Sequence, residues 1–241
     1  MQHTEEGHCV TRREKVLKET FKRMVSWFPE PRYTRPRNLI LFDWMNQNAP
    51  GKQVLNLGSG IGHFDHYLSK EIKPINLDIS SSLLNLHVVA DAHFLPFRSG
   101  CLDIVYSIAV LEHLQKPWIA TDEIFRVLRP GGHVVLELPF LNVIHDEHDY
   151  FRFTDRGIRS MFDENRFDVI CEQVGSGGGS FLSVFLLEYS LQFIPTRYMK
   201  TVWRVFMRYV FCLFKYLDLL TGRSRTLRMT ANSFSFVGRK R

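Results

Sequence analysis

The stretch VLNLGSGIG, residues 54–62, decides the fold. Its apolar first half, residues 54–57, favours a buried strand and runs directly into three glycines at alternate positions. Glycine tolerates positive φ and leaves no side chain above the backbone, so a ligand can lie close against such a turn. A helix that begins near His63 would turn its unpaired N–H groups towards that ligand. The stretch therefore predicts a strand–loop–helix unit that binds a nucleotide.

A second short apolar segment follows the loop and ends on an acid. Residues 74–77, PINL, lead to Asp78, which lies sixteen residues after Gly62. A carboxylate at this spacing suits the two hydroxyl groups of a ribose. The segment predicts the second strand of a βαβ unit, with the intervening helix over residues 63–71.

The same alternation continues through the rest of the chain. Further strands are predicted at residues 88–89, 102–108, 133–138, 167–174 and 233–237, and further helices at residues 11–28, 37–48 and 117–128. Such alternation is typical of a parallel sheet with helices on both faces. Ligands of these sheets bind at the carboxyl ends of the strands. The predicted strand ends carry Gly58, Asp78, Asp91, Val110 and Pro139.

Bulk properties restrict the class of protein further. A chain of 241 residues, 45% hydrophobic and 23% charged, has the composition of an ordinary globular protein and can bury a full α/β core. Its four cysteines are scattered, which indicates a reducing compartment and neither a disulfide scaffold nor a zinc site. The first ten residues include no apolar run, so we expect no secretory signal and a cytoplasmic location.

Charge is distributed unevenly along the chain. Residues 197–241 hold eleven Lys and Arg against a single acid, whereas residues 39–196 hold eleven basic and nineteen acidic residues. An acidic body that carries a strongly basic segment is typical of proteins that meet phosphate, nucleic acid or an anionic membrane surface.

Five segments in order resemble the class I S-adenosylmethionine-dependent methyltransferases. They are VLNLGSGIG, INLDIS, ADAHFLPF, LDIVYSIAVLEHL and LRPGGHVVLELP, which together cover about residues 50–140. The resemblance implies a Rossmann-like, doubly wound α/β sheet of about seven strands, mostly parallel with an antiparallel last strand and a helical insertion before it. We expect a single domain over residues 1–241, with N-terminal helices at 1–49, a cofactor-binding core at 50–174, a glycine hinge and helical insertion at 175–222, and a final strand and basic end at 223–241.

The resemblance also implies a cofactor, S-adenosylmethionine, and the residues that bind it. The glycine loop is expected to cradle the methionine part, Asp78 to hold the ribose, and Asp91 with the backbone of Ala92 to bind adenine. The implied cofactor-binding set is Asn56, Gly58, Ser59, Gly60, Gly62, Asp78, Ile79, Asp91, Ala92 and Val110.

One position in this stretch departs from the family pattern, and another distinguishes the stretch from the dehydrogenase fingerprint. Asn56 stands where the family commonly has an acid, so the contact near the amino group of the cofactor loses its charge. A nicotinamide dehydrogenase would require GxGxxG, with a glycine where this chain has His63. The loop therefore favours S-adenosylmethionine.

The richest stretch for catalysis follows the fifth strand. Residues 139–154, PFLNVIHDEHDYFRFT, place His145 and His148 at the predicted rim of the cleft. Either imidazole can act as a general base near neutral pH. The alternatives are ligation of a metal, although no metal is assigned, and a loop held together by pairs of His or Asp with Arg152 or Arg156. His113, after the fourth strand, is a third catalytic candidate, and a packing role at the start of a helix is its alternative.

The sequence indicates a class of methyl acceptor but not its identity. The fourth strand ends in Ser107-Ile108-Ala109-Val110, which lacks the Asn/Asp-Pro-Pro-aromatic sequence of base-amino methyltransferases, and no cysteine is placed for base-carbon methylation. We therefore predict O-methylation of a small-molecule or lipid/sugar-linked acceptor. The alternatives are an RNA-directed methyltransferase and a non-catalytic cofactor-binding protein that docks on a membrane or partner.

The predicted insertion has an unusual composition. GSGGGS, residues 175–180, predicts a hinge, and two helices follow, the second over about 197–220. In that helix Arg197, Lys200, Arg204, Arg208 and Lys215 form a cationic stripe among apolar residues. The pattern predicts a helix at an anionic membrane surface, with a lid or a homodimer contact as the alternative and nucleic acid as the least favoured partner.

Overall fold

A computed structural model describes residues 39–60, 64–81, 86–218 and 225–241. The helix predicted over residues 11–28 and the third glycine of the loop, Gly62, lie outside these residues. That the whole chain forms a single domain stays a prediction.

The described residues form a seven-stranded sheet with helices on both faces. Its strands β1 to β7 are Val54–Leu57, Ile75–Asp78, Val88–Val89, Leu102–Ile108, Leu128–Pro139, Phe167–Ser176 and Ser233–Lys240. The helices α1 to α5 are Leu39–Asn48, Pro117–Val127, Asp155–Met161, Gly178–Ser190 and Arg197–Phe211. Short 3-10 segments lie at Asp65–Tyr67, Leu111–His113, Leu191–Phe193, Cys212–Tyr216 and Arg225–Thr230.

The strand order β3-β2-β1-β4-β5-β7-β6 confirms the predicted doubly wound fold. β1 pairs in parallel with both β2 and β4, so the order reverses beside the glycine loop. β7 runs antiparallel between β5 and β6, as the sequence predicts. The reversal creates a crevice at the carboxyl ends of β1 and β4, where sheets of this kind bind their ligands.

Alternation along the strands fills the two faces of the sheet. Leu55 and Leu57 of β1 belong to the larger core, where Ile124 of α2 is also buried. Val54 turns to the opposite face, where Met45 of α1 is buried. Because side chains alternate with a period of two, a sheet covered on both faces buries successive residues of its central strands, and β1 is buried at all four positions and β4 at five of seven.

The helix predicted over residues 63–71 is wrong for the residues that the structure describes there. Only a 3-10 turn at Asp65–Tyr67 forms. The side chain of Asn46 on α1 replaces the missing helical hydrogen bonds. Its Nδ2 donates to the carbonyl of Tyr67 at 2.9 Å, and its Oδ1 accepts from the N–H of Ser69 at 2.8 Å.

The glycine hinge predicted at residues 175–180 is also wrong. Gly175 and Ser176 continue β6, and α4 begins at Gly178. The glycines permit close packing: a Cβ on Gly179 would lie 2.1 Å from the carbonyl oxygen of Phe214. The carboxylate of Asp218 accepts from the N–H groups of Gly179 at 2.7 Å and Ser180 at 3.0 Å, so it caps the start of α4.

The remaining element bounds follow the sequence closely. The fourth strand and the helix after it are confirmed, the latter ending one residue early at Val127. The fifth strand begins earlier than predicted, at Leu128, and the last strand extends to Lys240. The helix predicted over about 197–220 is regular only to Phe211 and tightens into the 3-10 segment that follows.

Candidate functional site

The glycine loop lies against the end of β4. Gly58 and Gly60 have φ of +70° and +53°, values that other residues rarely adopt. A Cβ on Gly58 would lie 2.4 Å from a methyl carbon of Val110, so glycine is required for packing as well as for conformation. The N–H groups of Gly58 and Ser59 both donate to the carbonyl of Leu77, at 2.8 and 3.0 Å. The loop is thus fixed between the ends of β2 and β4.

Asp78, at the end of β2, fixes the other side of the loop. One carboxylate oxygen accepts from the N–H of Gly60 at 2.9 Å, and the second accepts from the N–H of Ser80 at 3.0 Å. The next side chain, Ile79, is 71% exposed. The end of β2 therefore presents an anchored negative charge beside an exposed apolar side chain, which suits a ribose and an adjoining apolar ring.

Asp91 follows β3 and makes a compact turn with His93. Its Oδ1 accepts from the N–H of His93 at 2.9 Å and lies 2.6 Å from the Nδ1 of the same residue. Burial acts to raise the pKa of Asp91, but the hydrogen bonds from His93 outweigh it and the pKa falls below its usual value. Asp91 is therefore an ionised acceptor next to Ala92, which is buried.

Asn56 is turned into the sheet. Its Nδ2 donates to the Oδ1 of Asn76 on the adjacent strand at 3.1 Å, and both side chains are buried. The amide thus joins β1 to β2. It brings no charge to the loop, in agreement with the expectation from the sequence.

β4 ends in a strained turn that leads into the second half of the site. Ala109 has φ of +54°, and it is the one non-glycine residue with positive φ among the described residues. Such a conformation costs about 1–3 kcal/mol and is concentrated at functional sites. The N–H of Ala109 donates to the carbonyl of Glu137 on β5 at 2.9 Å, which holds the turn in place. Val110, which follows, then packs on Gly58.

The loop after β5 docks on the turn after β4. The carbonyl of Glu112 accepts from the N–H groups of Tyr150 at 2.8 Å and Phe151 at 3.2 Å. The ring Nδ1 of His113 lies 2.9 Å from the carbonyl oxygen of His148. These bonds join the loop after β5 to the turn after β4, whose Val110 packs on Gly58 of the cofactor loop.

Two of the three predicted catalytic histidines face each other. The rings of His113 and His145 have centroids 5.0 Å apart and meet edge to face. The ring of His148 stacks instead at 6.2 Å on Tyr150. The structure therefore brings all three residues to one rim and pairs only the first two rings.

An aspartate–arginine pair holds this loop. The side chain of Asp149 has no exposed area, and it accepts from the guanidinium of Arg152 at 2.7 Å. Arg152 holds the pKa of Asp149 at about 2, well below its usual value. The guanidinium also donates to the carbonyls of Asn142 at 3.3 Å and Val143 at 2.9 Å. The alternative of a loop held by an Arg pair is thus realised for Arg152, and the catalytic roles of the histidines stay predictions.

Glu112 is the residue that sequence reasoning missed. It is fully buried, and no other described residue donates a hydrogen bond to either carboxylate oxygen. Burial raises its pKa to about 7. A signal existed in the sequence, because Glu112 follows a buried strand by four residues and lies in the segment Leu111–Leu114, whose two leucines favour burial.

Comparisons with known proteins fit this geometry. Residues 55–136 match a sequence family described as a methyltransferase domain. A malonyl-[acyl-carrier protein] O-methyltransferase from Marinomonas sp. is 37% identical over 97 residues, which are 34% of this chain and 36% of that protein. The chain spans little more than a third of the length of the curated relatives that it matches first.

Solved structures show the same fold at low sequence identity. A putative methyltransferase from Bacillus halodurans is 14% identical with a TM-score of 0.54, over 84% of this chain and 98% of that one. The [4+2]-cyclase SpnF is 15% identical with a TM-score of 0.57, over 85% of this chain and 81% of that one. A cyclase among the neighbours illustrates that this fold alone does not fix the reaction.

Residues 55–136 therefore form a methyltransferase domain, and the predictions of that family, of its Rossmann-like sheet and of S-adenosylmethionine as its cofactor are confirmed. The residues present fit the cofactor. Nothing lies within 4 Å of a Cβ added to Gly60, so the backbone there is open to a ligand, and Asp78 and Asp91 supply carboxylates at the ends of adjacent strands. The individual binding roles of these residues stay predictions.

Proposed function

We propose that this chain transfers a methyl group from S-adenosylmethionine to a hydroxyl oxygen of a small-molecule or lipid/sugar-linked acceptor. One observation carries the proposal. The loop with His145 and His148 is hydrogen-bonded to the turn that holds His113, and that turn begins at Val110, which packs on the cofactor loop. Imidazoles therefore lie beside the predicted position of the cofactor.

The proposed chemistry needs alignment and one proton acceptor. S-adenosylmethionine supplies an electrophilic methyl group, which the acceptor oxygen takes by direct displacement while its hydroxyl proton is lost. His113, His145 and His148 are the candidate acceptors of that proton. Arg152 and Asp149 hold the loop in position, since a well-oriented arrangement supplies a large part of the rate.

The assignment of the histidines is tested by substitution. We expect His145→Ala and His148→Ala to reduce turnover by about 10²–10⁴-fold, the usual contribution of a general base, with cofactor affinity unchanged in calorimetry. His133→Gln is the matched control, because His133 pairs with Ile104 near the amino end of β4, away from the carboxyl strand ends that form the site. Full activity in both variants would remove the base hypothesis.

The acceptor class is tested with a labelled methyl group. Incubating the protein with the labelled cofactor and fractionated lipid, glycan and RNA extracts should transfer the label to lipid or glycan. Label in RNA, together with salt-dependent RNA retention, would favour the RNA-directed alternative. Tight cofactor binding with no label in any fraction would favour a non-catalytic binding protein.

We also propose that α4 and α5 lie on an anionic membrane surface, where they would admit a lipid-linked acceptor. No described helix is long and apolar enough to cross a membrane. No residue of α5 is buried. Apolar side chains that are exposed recur along the helix and its 3-10 extension at Met199, Val202, Phe206, Val210 and Leu213.

Charge complements this exposed apolar stripe. At 100° per residue, the cations at positions 197, 200, 204 and 208 lie on the opposite side of α5 from Phe206. On α4 a second exposed stripe, Leu182, Phe185 and Tyr189, continues to Phe193. Helices with an apolar face and many cations bind in the interface plane, with their apolar side chains below the phosphates.

Vesicle co-sedimentation tests the membrane contact. We expect Phe206→Asp, at a side chain that is 63% exposed, to weaken binding to phosphatidylserine vesicles by about 10-fold or more, since it replaces buried apolar area with a charge. Val89→Asp is the matched control, because Val89 is 57% exposed on the edge strand β3. A wild-type protein that never sediments with anionic vesicles excludes this contact and favours a lid or a homodimer. The membrane contact, the homodimer and the cytoplasmic location all stay predictions.

A further inference from the structure

Glu112 lacks the partner that a buried carboxylate needs. The nearest basic nitrogen that the described residues bring to it is the Nε2 of His113, 3.9 Å from Oε1, which is beyond hydrogen-bond distance. Arg152 is committed to Asp149 and to the carbonyls of the loop. A buried carboxylate without hydrogen bonds is costly, and such groups are paired or coordinate metals. A cation bound beside Glu112 would supply the partner that the other described residues do not.

Both neighbouring histidines are arranged as ligands are in metal sites. The carbonyl of His148 can only accept, so the Nδ1 of His113 donates to it, and in the neutral imidazole the lone pair is then on the Nε2. The Nδ1 of His145 lies 3.1 Å from a carboxylate oxygen of Asp149. Imidazoles that bind metals commonly donate their second N–H to a carbonyl or carboxylate in this way.

We propose that Glu112, His113 and His145 bind a divalent first-row transition metal ion. One ligand atom from each residue lies within 4.8 Å of the other two. Ligands at about 2.0–2.1 Å from a tetrahedral ion stand about 3.3 Å apart, so the site needs a modest closure. His145 lies on the exposed rim and can supply that movement by turning its side chain. Two imidazoles and one carboxylate leave a coordination position open, as in catalytic sites of zinc and iron.

The inference rests on the proposed function and deepens it. The open position would take the acceptor hydroxyl, and a bound cation lowers the pKa of such a group so that its proton leaves to water. The acceptor oxygen then forms its bond to the methyl carbon as the carbon–sulfur bond breaks. In this arrangement His113 and His145 act through the cation, and the acceptor class is one whose hydroxyl can reach a metal ion.

Metal binding is measured on the full chain after treatment with a chelator and dialysis. Titration with Zn²⁺ against a chromophoric competitor, and with Co²⁺ by its visible absorption, should each give about one ion per chain. Glu112→Gln keeps the shape of the side chain and should weaken binding by more than about 100-fold. Asp149→Asn should weaken it by about 10–100-fold, the usual cost of losing an outer partner of a ligand.

Three histidine variants separate binding at these ligands from binding elsewhere on the chain. His148→Ala and His133→Gln alter imidazoles outside the ligand set and should bind Zn²⁺ like the wild type. His145 lies on the exposed rim, so His145→Ala does not put folding at risk and should lose affinity as Glu112→Gln does; circular dichroism checks each variant. Absence of saturable Zn²⁺ and Co²⁺ binding in the wild type, or equal affinity in wild type and His145→Ala, would overturn the site.

The failures of the two proposals are distinguishable. Cofactor affinity is measured without metal, and metal affinity is measured without cofactor. Stoichiometric metal binding with no methyl transfer to any extract would leave the metal site standing and remove the proposed function. Methyl transfer that survives chelation, in a chain that binds no Zn²⁺ or Co²⁺, would do the reverse.

Discussion

The strands around the glycine loop and the helical hairpin formed by α4 and α5 differ in how far their residues are buried. Every residue of β1 is buried, whereas no residue of α5 is. The family match covers residues 55–136 and ends before the hairpin begins. Residues that fill an interior are restricted by their neighbours, whereas an exposed face is restricted by what it binds. The cofactor class can therefore be identified by similarity, and the acceptor cannot.

The cofactor loop and the α4–α5 hairpin each use a carboxylate to fix a glycine-rich turn. Asp78 holds the N–H of Gly60 in the cofactor loop, and Asp218 holds the N–H groups that begin α4. The first carboxylate lies on the adjacent strand of the sheet. The second arrives from a segment almost forty residues later, and its side chain is buried. If the cofactor loop and the α4–α5 hairpin are independent, a substitution that disrupts one turn should leave the other intact.

The largest effect is expected at the cofactor loop. Gly58→Ala should reduce cofactor affinity by more than about 100-fold, because its Cβ would meet Val110 at 2.4 Å in a conformation with positive φ. Calorimetry measures the affinity. Gly51→Ala is the control: Gly51 also has positive φ, but nothing lies within 4 Å of an added Cβ. Equal losses in both variants would mean that strain, and not the contact with Val110, decides the result.

A smaller effect, on turnover, is expected at Arg152, which holds the loop after β5 in place. Arg152→Lys should lower turnover by about 10–100-fold and leave cofactor affinity unchanged, since lysine cannot reproduce the bidentate contact with Asp149 while also reaching the loop carbonyls. Steady-state kinetics and calorimetry measure the two quantities. Arg156→Lys, an exposed neighbour, should behave like the wild type. A matching loss of cofactor affinity would contradict the separation of binding from positioning.

The next largest effect is expected at Asp218, which caps the start of α4. Asp218→Ala should destabilise the start of α4 by about 2 kcal/mol, because two N–H groups and the hydroxyl of Ser180 lose a charged acceptor. Hydrogen exchange of the amides near 179 and 180 reports this local change. Glu188→Ala removes an exposed acid from the same helix and should have little effect. Cofactor affinity that fell together with the cap would show that the cofactor loop and the α4–α5 hairpin are coupled.

The smallest effect is expected on the surface of the hairpin. Arg204 meets Glu188 at 3.3 Å, and both side chains are more than 40% exposed. Arg204→Ala should therefore change the free energy of unfolding by less than about 1 kcal/mol in urea titration. The same variant should weaken vesicle binding if the cations of α5 meet lipid phosphate. A large loss of stability would mean that the cationic side of α5 is packed, which would contradict the exposure of Arg204 and Glu188.

Helix α2 is an element whose bounds could be predicted from local sequence. The span Pro117–Val127 follows from a proline at its first position and an apolar face, signals that act within one element. Residues 63–71 show the limit. There the side chain of Asn46, from another element, takes the hydrogen bonds that a helix would have needed. Propensity could not anticipate a competitor about twenty residues away.

The candidate site likewise has some residues whose positions the sequence predicts and others whose contacts it does not. The positions of Gly58, Asp78 and Asp91 were predictable, because the carboxyl ends of parallel strands meet at one edge of the sheet. The pairing of His113 with His145 was not predictable, nor was the burial of the Glu112 carboxylate next to His113. They depend on a loop that crosses from β5 to the turn after β4, and no periodicity encodes that crossing.

The sequence by itself determined the fold class and the cofactor, since strand periodicity and glycines at fixed spacing are local properties that interior packing restricts to few solutions. Only the tertiary structure decided which carboxylate is buried beside which imidazoles, that the glycines after β6 pack a helix closely and do not act as a hinge, and that an apolar face stays exposed on α5. These features arise from contacts between residues distant along the chain. Their geometry is set when the chain closes on itself.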